Sequence, residues 1–189
     1  MERRNHFGGS GWRGVLRCHT FDYPESNTAV NIVLNSAEQI VCKSLALMRY
    51  EIARAVGRKD QQIGNQPSWQ TDEDGIGGEI AVSRVLNVYP SLVLKPDAGW
   101  DILYNGHKID VKTTRYKAGR LLAKLNARDD EVSVYLLVTG VFPEYTIVGY
   151  ATKEQLIAKE NIIDLGHGQG YGLTQDKLLN IADLYARVT

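Results

Sequence analysis

The sequence predicts an α/β fold, a central sheet flanked by helices, and three stretches carry that prediction. Residues 100–112 (Trp-Asp-Ile-Leu-Tyr-Asn-Gly-His-Lys-Ile-Asp-Val-Lys) read as a β-hairpin, because Asn105-Gly106 supplies the two residues that tolerate the positive φ of a type I′ turn. Residues 132–140 (Val-Ser-Val-Tyr-Leu-Leu-Val-Thr-Gly) form a nearly continuous apolar run, the pattern of a buried central strand. Ser36-Ala37-Glu38-Gln39 has the form of a capping box and opens a helical stretch that Gly57 ends.

In chain order, residues 1–27 are polar and Gly-rich, with Arg3, Arg4, Arg13 and Arg17 among the aromatics Phe7, Trp12, Phe21 and Tyr23. They read as an arm, followed by a short β-like run at 28–35. In the helix from Ser36 to about Val56, the apolar stripe is Val41, Leu45, Met48, Ile52 and Val56, with Lys43, Arg49, Glu51 and Arg54 as its solvated face. Residues 58–76 read as a polar linker. Asp72, Glu73 and Asp74 stand at its end, where they would serve as dipole partners for the next helix. That helix runs from Gly77 to about Val88, packs through Ile80, Ala81, Val85 and Val88, and leaves Glu79 at the edge of apolar surface. A buried carboxylate there needs a metal or a cationic partner. A strand is expected at 91–95.

After the hairpin, Leu121, Leu122 and Leu125 suggest a short amphipathic helix. Another strand covers 145–150, and Thr152-Lys153-Glu154-Gln155 opens a helix to about Glu160. Gly166-His167-Gly168-Gln169-Gly170-Tyr171-Gly172 reads as an irregular loop whose amides could bind phosphate, with His167 as a proton donor. Thr174 caps a last helix holding Leu178, Leu179, Ile181 and Leu184. Residues 1–35 are thus an arm and short strand, and 36–189 a single domain.

The chain has 189 residues, with 22 basic and 22 acidic side chains, so any nucleic-acid surface must be local. Its two cysteines, Cys18 and Cys42, have no metal-type spacing and fit a reducing cytoplasm. No apolar run approaches the roughly 18 residues of a membrane span, and the first ten residues lack a signal-peptide core, so no membrane contact is expected.

A two-residue turn sets Tyr104 opposite His107, Leu103 opposite Lys108, Ile102 opposite Ile109 and Asp101 opposite Asp110. By alternation Asp101, Asp110 and Lys112 share one face, while Trp100, Ile102, Ile109 and Val111 share the apolar core face. Two carboxylates facing each other about 5 Å apart are destabilising. A divalent cation between them reverses the sign, and hard Mg²⁺ favours carboxylate oxygen. Lys112 would place an ammonium beside the site.

Asp101, then eight residues, then Asp110-Val111-Lys112, resembles the signature of the PD-(D/E)XK nuclease superfamily. Glu79, 22 residues upstream, matches the helical Glu that often joins that site. The resemblance covers about residues 76–150. It implies a restriction-endonuclease-like αβββαβ core with a mixed central sheet, and Mg²⁺ or Mn²⁺ held by Asp101, Asp110, the Val111 carbonyl and Glu79. Lys112 would orient water or stabilise the transition state, and DNA would be the substrate. The compact size is also similar to that of bacteriophage nucleases, which would place it in a host cytoplasm; a homodimer stays open. Pro96-Asp97 makes a literal match too, but Asp97 lies roughly 13 Å further along an extended strand.

Arg115, Lys117, Arg120, Lys124 and Arg128 follow with no acid before Asp129, and Thr113, Thr114 and Tyr116 add hydrogen-bond donors. That cluster suits a phosphate backbone. Two alternatives remain: a non-catalytic nucleic-acid-binding module on the same fold, and an interaction protein with a salt-bridged hairpin.

Overall fold

The computed structural model describes residues 29–55, 57, 68–92, 99–129, 131–166 and 168–186. Strand β1 (Val30–Val33) leads into helices α1 (Ser36–Ala55) and α2 (Ser68–Val85). Then come β2 (Ile102–Tyr104), β3 (His107–Thr114), β4 (Leu121–Lys124), β5 (Val134–Val141) and β6 (Glu144–Thr152). The chain closes with α3 (Lys153–Leu156), β7 (Ile162–Asp164), β8 (Gln169–Leu173) and α4 (Ile181–Ala186). The fold is mixed α/β. Its main sheet has the order β1-β6-β5-β3-β2, with β3 and β5 parallel and the other neighbours antiparallel. A smaller antiparallel sheet has the order β4-β8-β7.

The main sheet is covered on both faces. Ile109 and Val111 of β3, with Val134, Leu136 and Val138 of β5, pack on α1 and α2. The alternate residues of β5, Tyr135 and Leu137, pack with Leu121, Ala123, Leu173 and Leu156 into a second core. Trp100 joins this second core, so it does not share the face of Ile102, Ile109 and Val111.

The hairpin forms as its turn residues dictate. Asn105 and Gly106 take φ of 50° and 81°, and Ile102, Leu103 and Tyr104 pair with Ile109, Lys108 and His107. Both expected strands at 132–140 and 145–150 are present as β5 and β6. Thr152 caps α3 through its hydroxyl, which accepts from Gln155 N at 3.2 Å, but the helix is a single turn.

Several elements differ from the sequence reading. The cap of α1 is Asn35, whose Oδ1 accepts from Ala37 N and Glu38 N while Glu38 returns to Asn35 N. The buried face of α1 is Cys42, Leu45 and Ala46, and Met48 is 50% exposed. Helix α2 begins at Ser68, so Asp72, Glu73 and Asp74 lie inside it and do not precede it. Residues 121–124 form a strand, because burial alternates through Leu121 and Ala123 and leaves no helical stripe. Residues 169–173 are strand β8, where Gly170 lies against Ala123 and Leu165, and Gly172 against Ile163 and Leu122. Thr174 makes no side-chain cap; the last helix starts at Ile181, with Asn180 accepting from Ala182 N. The N-terminal arm, residues 58–67 of the linker, residues 93–95 of the expected strand, Pro96-Asp97, His167 and the Arg128 side chain lie outside the described residues.

Among the described residues no helix is long and apolar enough to cross a membrane.

Candidate active site

The outer edge of β3 is where the sequence-predicted residues meet. Strand β2 pairs only with residues 107–109 of β3, leaving the edge from Asp110 onward without a described strand beside it. Alternate N–H groups of β3 point to that edge, so Val111 would be the next donor in the ladder. Asp101 fills the position with its side chain: Oδ2 accepts from Val111 N at 2.7 Å. Its own N–H goes to the Ile109 carbonyl at 2.9 Å, so the backbone departs there from a regular ladder. The expected Asp101–Asp110 pairing is therefore replaced by a carboxylate capping the strand.

Asp110 and Lys112 lie on the face of β3 away from α2. Their side chains form an ion pair at 2.6 Å, with the Asp110 carboxylate mostly covered and the Lys112 side chain 40% exposed. From the opposite side, α2 lies directly on β3. A Cβ on Gly78 would collide with the Thr113 hydroxyl, and one on Gly77 with the Tyr145 ring. This contact brings Glu79, next along α2, to the same edge. Glu79 sits in the interior of α2, not at its start.

Glu79 receives two hydrogen bonds from Arg49 Nη1 of α1, at 3.2 and 3.3 Å. Arg49 is thus not on a solvated face; it continues the buried stripe of Cys42, Leu45 and Ala46 by one more turn. Burial nonetheless raises the Glu79 carboxyl above its ordinary range, against the Arg49 cation, with Asp110 adding to the rise and Lys112 opposing it. Asp101 is pushed up to about 8, first by burial and then by the charges of Glu79 and Asp110, while the Val111 N–H and Lys112 pull it down. Glu79, Asp101, Asp110 and Lys112 therefore act on one another electrostatically, as residues of one site.

The donor chemistry fits a hard divalent cation: a carboxylate on β3, one just before β2, a third from a helix and a backbone carbonyl at Val111. In the present rotamers, however, no three His, Cys, Asp or Glu side chains among the described residues converge to hold an ion. Asp110 is turned to Lys112 and Glu79 to Arg49. What the site has is an excess of closely spaced acids, one of which is held up to about 8.

The expected phosphate-binding residues divide. Arg115 and Lys117 line a cleft of about 390 Å³ beyond the end of β3. Arg115 Nε pairs with Asp74 Oδ2 at 3.1 Å, and Asp74 Oδ1 accepts from Phe142 N at 3.0 Å. Thr114 stays on the face of Asp110 and Lys112, whereas the Thr113 hydroxyl is buried under Gly78. Arg120 and Lys124 are exposed beside and within β4 of the second sheet and do not line the cleft.

The sequence set Arg49 on a solvated face and Asp74 ahead of its helix, and neither ion pair was foreseen. The spacing Cys42, Leu45, Ala46, Arg49 is helical and could have revealed Arg49, but the larger apolar side chains of the competing stripe outweighed it. Compared with protein-family models, with curated proteins and with solved structures, the chain gives no match.

Proposed function

We propose that the chain is a metal-dependent nuclease that hydrolyses DNA phosphodiester bonds, with a site of the PD-(D/E)XK kind on a restriction-endonuclease-like core. The observation that carries this reading is the meeting of Glu79, Asp101, Asp110 and Lys112 at the edge of β3 beyond its pairing with β2. Asp101, Asp110 and the Val111 carbonyl would hold Mg²⁺ or Mn²⁺, and Glu79 would complete the set. When bound, such an ion supplies Lewis-acid activation of water and screening of phosphate charge.

The chain's own residues have separate tasks. Asp101 fixes the Val111 peptide through its hydrogen bond, which orients the adjoining carbonyl. Arg49 opposes the rise that burial imposes on the Glu79 carboxyl in the cation-free state. Lys112, tethered by Asp110 but open to solvent, can orient an attacking water and donate to a phosphate oxygen as charge builds on it. In this proposal the protein works in a reducing cytoplasm, that of a bacterial host if it is phage-encoded, as a monomer or homodimer.

The ion pairs Arg49–Glu79 and Lys112–Asp110 favour one alternative, a non-catalytic nucleic-acid-binding or interaction module on the same fold, in which these acids only stabilise the packing. Cleavage of single-stranded, double-stranded and branched DNA in Mg²⁺ and Mn²⁺ separates the two. Metal-dependent cleavage lost in both Lys112→Ala and Asp110→Ala supports the nuclease. No cleavage of any substrate, with no cation-induced rise in Tm, leaves the non-catalytic module.

A further inference from the structure

The cleft beyond β3 has a floor set by strand register. Thr114 pairs with Thr139, Thr139 with Thr146, and Thr146 with Asn31, so one row of hydroxyls and an amide crosses β3, β5, β6 and β1 on a single face. The Thr146 hydroxyl donates to Asn31 Oδ1 at 2.7 Å. This is the face that carries Asp110 and Lys112, and the row lies one alternation beyond Lys112, roughly 7 Å along the strand. Thr139, Thr146 and Asn31 line the cleft with the apolar Ile32, Val33 and Val141.

The charges of the cleft nearly balance. Arg115 is paired with Asp74, and Lys117 is matched by Glu144 on the lining. A bare phosphate trap would show uncompensated cations. A balanced cleft with apolar walls and neutral hydrogen-bonding groups suits a ligand with an uncharged, partly apolar body and one anionic group. Its volume, about 390 Å³, is at the low end of the roughly 300–1,000 Å³ that small-ligand pockets occupy. A volume of that size matches one nucleotide better than a longer stretch of nucleic acid.

At the same end of the strand stands Arg115-Tyr116-Lys117, a ring between two cations, and Tyr116 is 69% exposed. The segment is held from both sides. Asp74 grips Arg115, the Gly119 N–H closes a turn on the Tyr116 carbonyl at 2.8 Å, and Gln175 Nε2 donates to the Lys117 and Gly119 carbonyls at 2.7 and 2.9 Å. An exposed aromatic presented rigidly between cations is how single strands are bound, since every base offers a face for stacking.

We infer that the substrate strand is single-stranded DNA, or a single-stranded extension, with one unstacked nucleotide received in this cleft and its neighbour stacked on Tyr116. This rests on the nuclease reading of the β3 edge and adds the substrate class to it.

The test is binding of labelled single- and double-stranded oligodeoxynucleotides of one sequence to the full chain in EDTA, read by fluorescence anisotropy, with cleavage of the same oligonucleotides in Mg²⁺ alongside. Single strands should bind at least tenfold more tightly than duplex. Tyr116→Ala and Lys117→Gln, both at exposed positions, should each weaken single-strand binding about tenfold while duplex binding stays within about twofold. Equal affinity for both forms overturns the inference, as does unchanged single-strand binding in Tyr116→Ala. Binding of single-stranded RNA as tight as that of DNA overturns the assignment to DNA. Lys112-dependent cleavage of duplex, indifferent to both cleft variants, removes this inference and leaves the nuclease. Cleft-dependent binding with no cleavage of any strand removes the nuclease and leaves the single-strand site.

Discussion

Replacing Asp101 by Asn should stabilise the cation-free protein at neutral pH while abolishing cleavage. Asn keeps an acceptor for the Val111 N–H, which Asp101 now meets at 2.7 Å, and removes the charge. The magnitude follows from linkage. Asp101 titrates near 8 in the folded protein and near 3.8 when free of its surroundings. Below pH 4 both states hold the proton, and the group contributes nothing. Between 4 and 8 the folded state holds a proton that the unfolded state has released, so stability falls as pH rises; above 8 the penalty is constant. At about 1.4 kcal/mol per pH unit, the ceiling at pH 7 is roughly 4 kcal/mol. Asn also brings an amide N–H₂ that the packed site was not built to satisfy, so a net gain of about 1–2 kcal/mol is the expected size.

Urea denaturation in EDTA from pH 5 to 8 measures this directly. The parent should lose stability across that window, while Asp101→Asn stays flatter and ends above it. Mg²⁺ should raise the Tm of the parent and leave the variant unmoved. A parent whose stability is level from pH 5 to 8, together with a variant that is less stable throughout, would refute the reasoning. Asp101 would then be a ladder cap and nothing more.

Arg49→Ala leaves the Glu79 carboxylate buried without its cation and should cost about 3–5 kcal/mol in urea denaturation; Glu79→Gln, which keeps an acceptor for Arg49 and removes the carboxylate at that position, should cost less. Lys112→Ala removes an ammonium whose side chain is 40% exposed, so stability should stay within about 1 kcal/mol of the parent. Its cleavage rate should fall by about 10² or more, and DNA binding in EDTA should change little. Gly78→Ala drives a methyl into Thr113, so the expected loss is about 1–3 kcal/mol in Tm-based stability, with kcat reduced as Glu79 is lifted from the β3 edge.

The parts of the fold that the sequence made legible are those set by local chemistry. Asn105-Gly106 dictated the turn, and the turn dictated the register of Ile102 with Ile109. The apolar run of β5 and the Thr152 cap are equally local. What stayed hidden depends on contacts distant in sequence. Helix α2 contains Gly75, Gly77 and Gly78, each costing about 1 kcal/mol of helix propensity against Ala. The N-terminal half therefore read as a linker. In the folded protein Gly77 and Gly78 are what let the helix touch β6 and β3. Gly170 and Gly172 misled in the same way: they read as a loop but allow strands to pack closely. Within the site, Asp110 and Lys112 share a face as hairpin alternation expects, whereas Asp101 reaches them by capping Val111 N and not by pairing with Asp110. Arg49 was not legible, because its partner lies 30 residues away on another helix.

Strand β3 orders these observations into two sets by the pleat alone. Ile109, Val111 and Thr113 face α2, and Arg115 beyond them reaches Asp74 on the same helix. Asp110, Lys112 and Thr114 face the other way, toward the acidic edge and the hydroxyl row of the cleft. Odd positions thus fix where the strand lies, and even positions carry the groups assigned to chemistry. Asp101 and Glu79 reach the boundary between the sets from outside the strand, one by capping it and one by crossing its edge from α2. Their carboxyls are raised because the packing that places them also buries them, so the electrostatic cost and the proposed catalytic arrangement would have a single origin. A ladder cap at Val111 needs only a neutral acceptor, and Asn would serve it without that cost. In the proposed nuclease an acid is kept there because a cation sharing the edge with Asp101, Asp110 and Glu79 would hold it ionised.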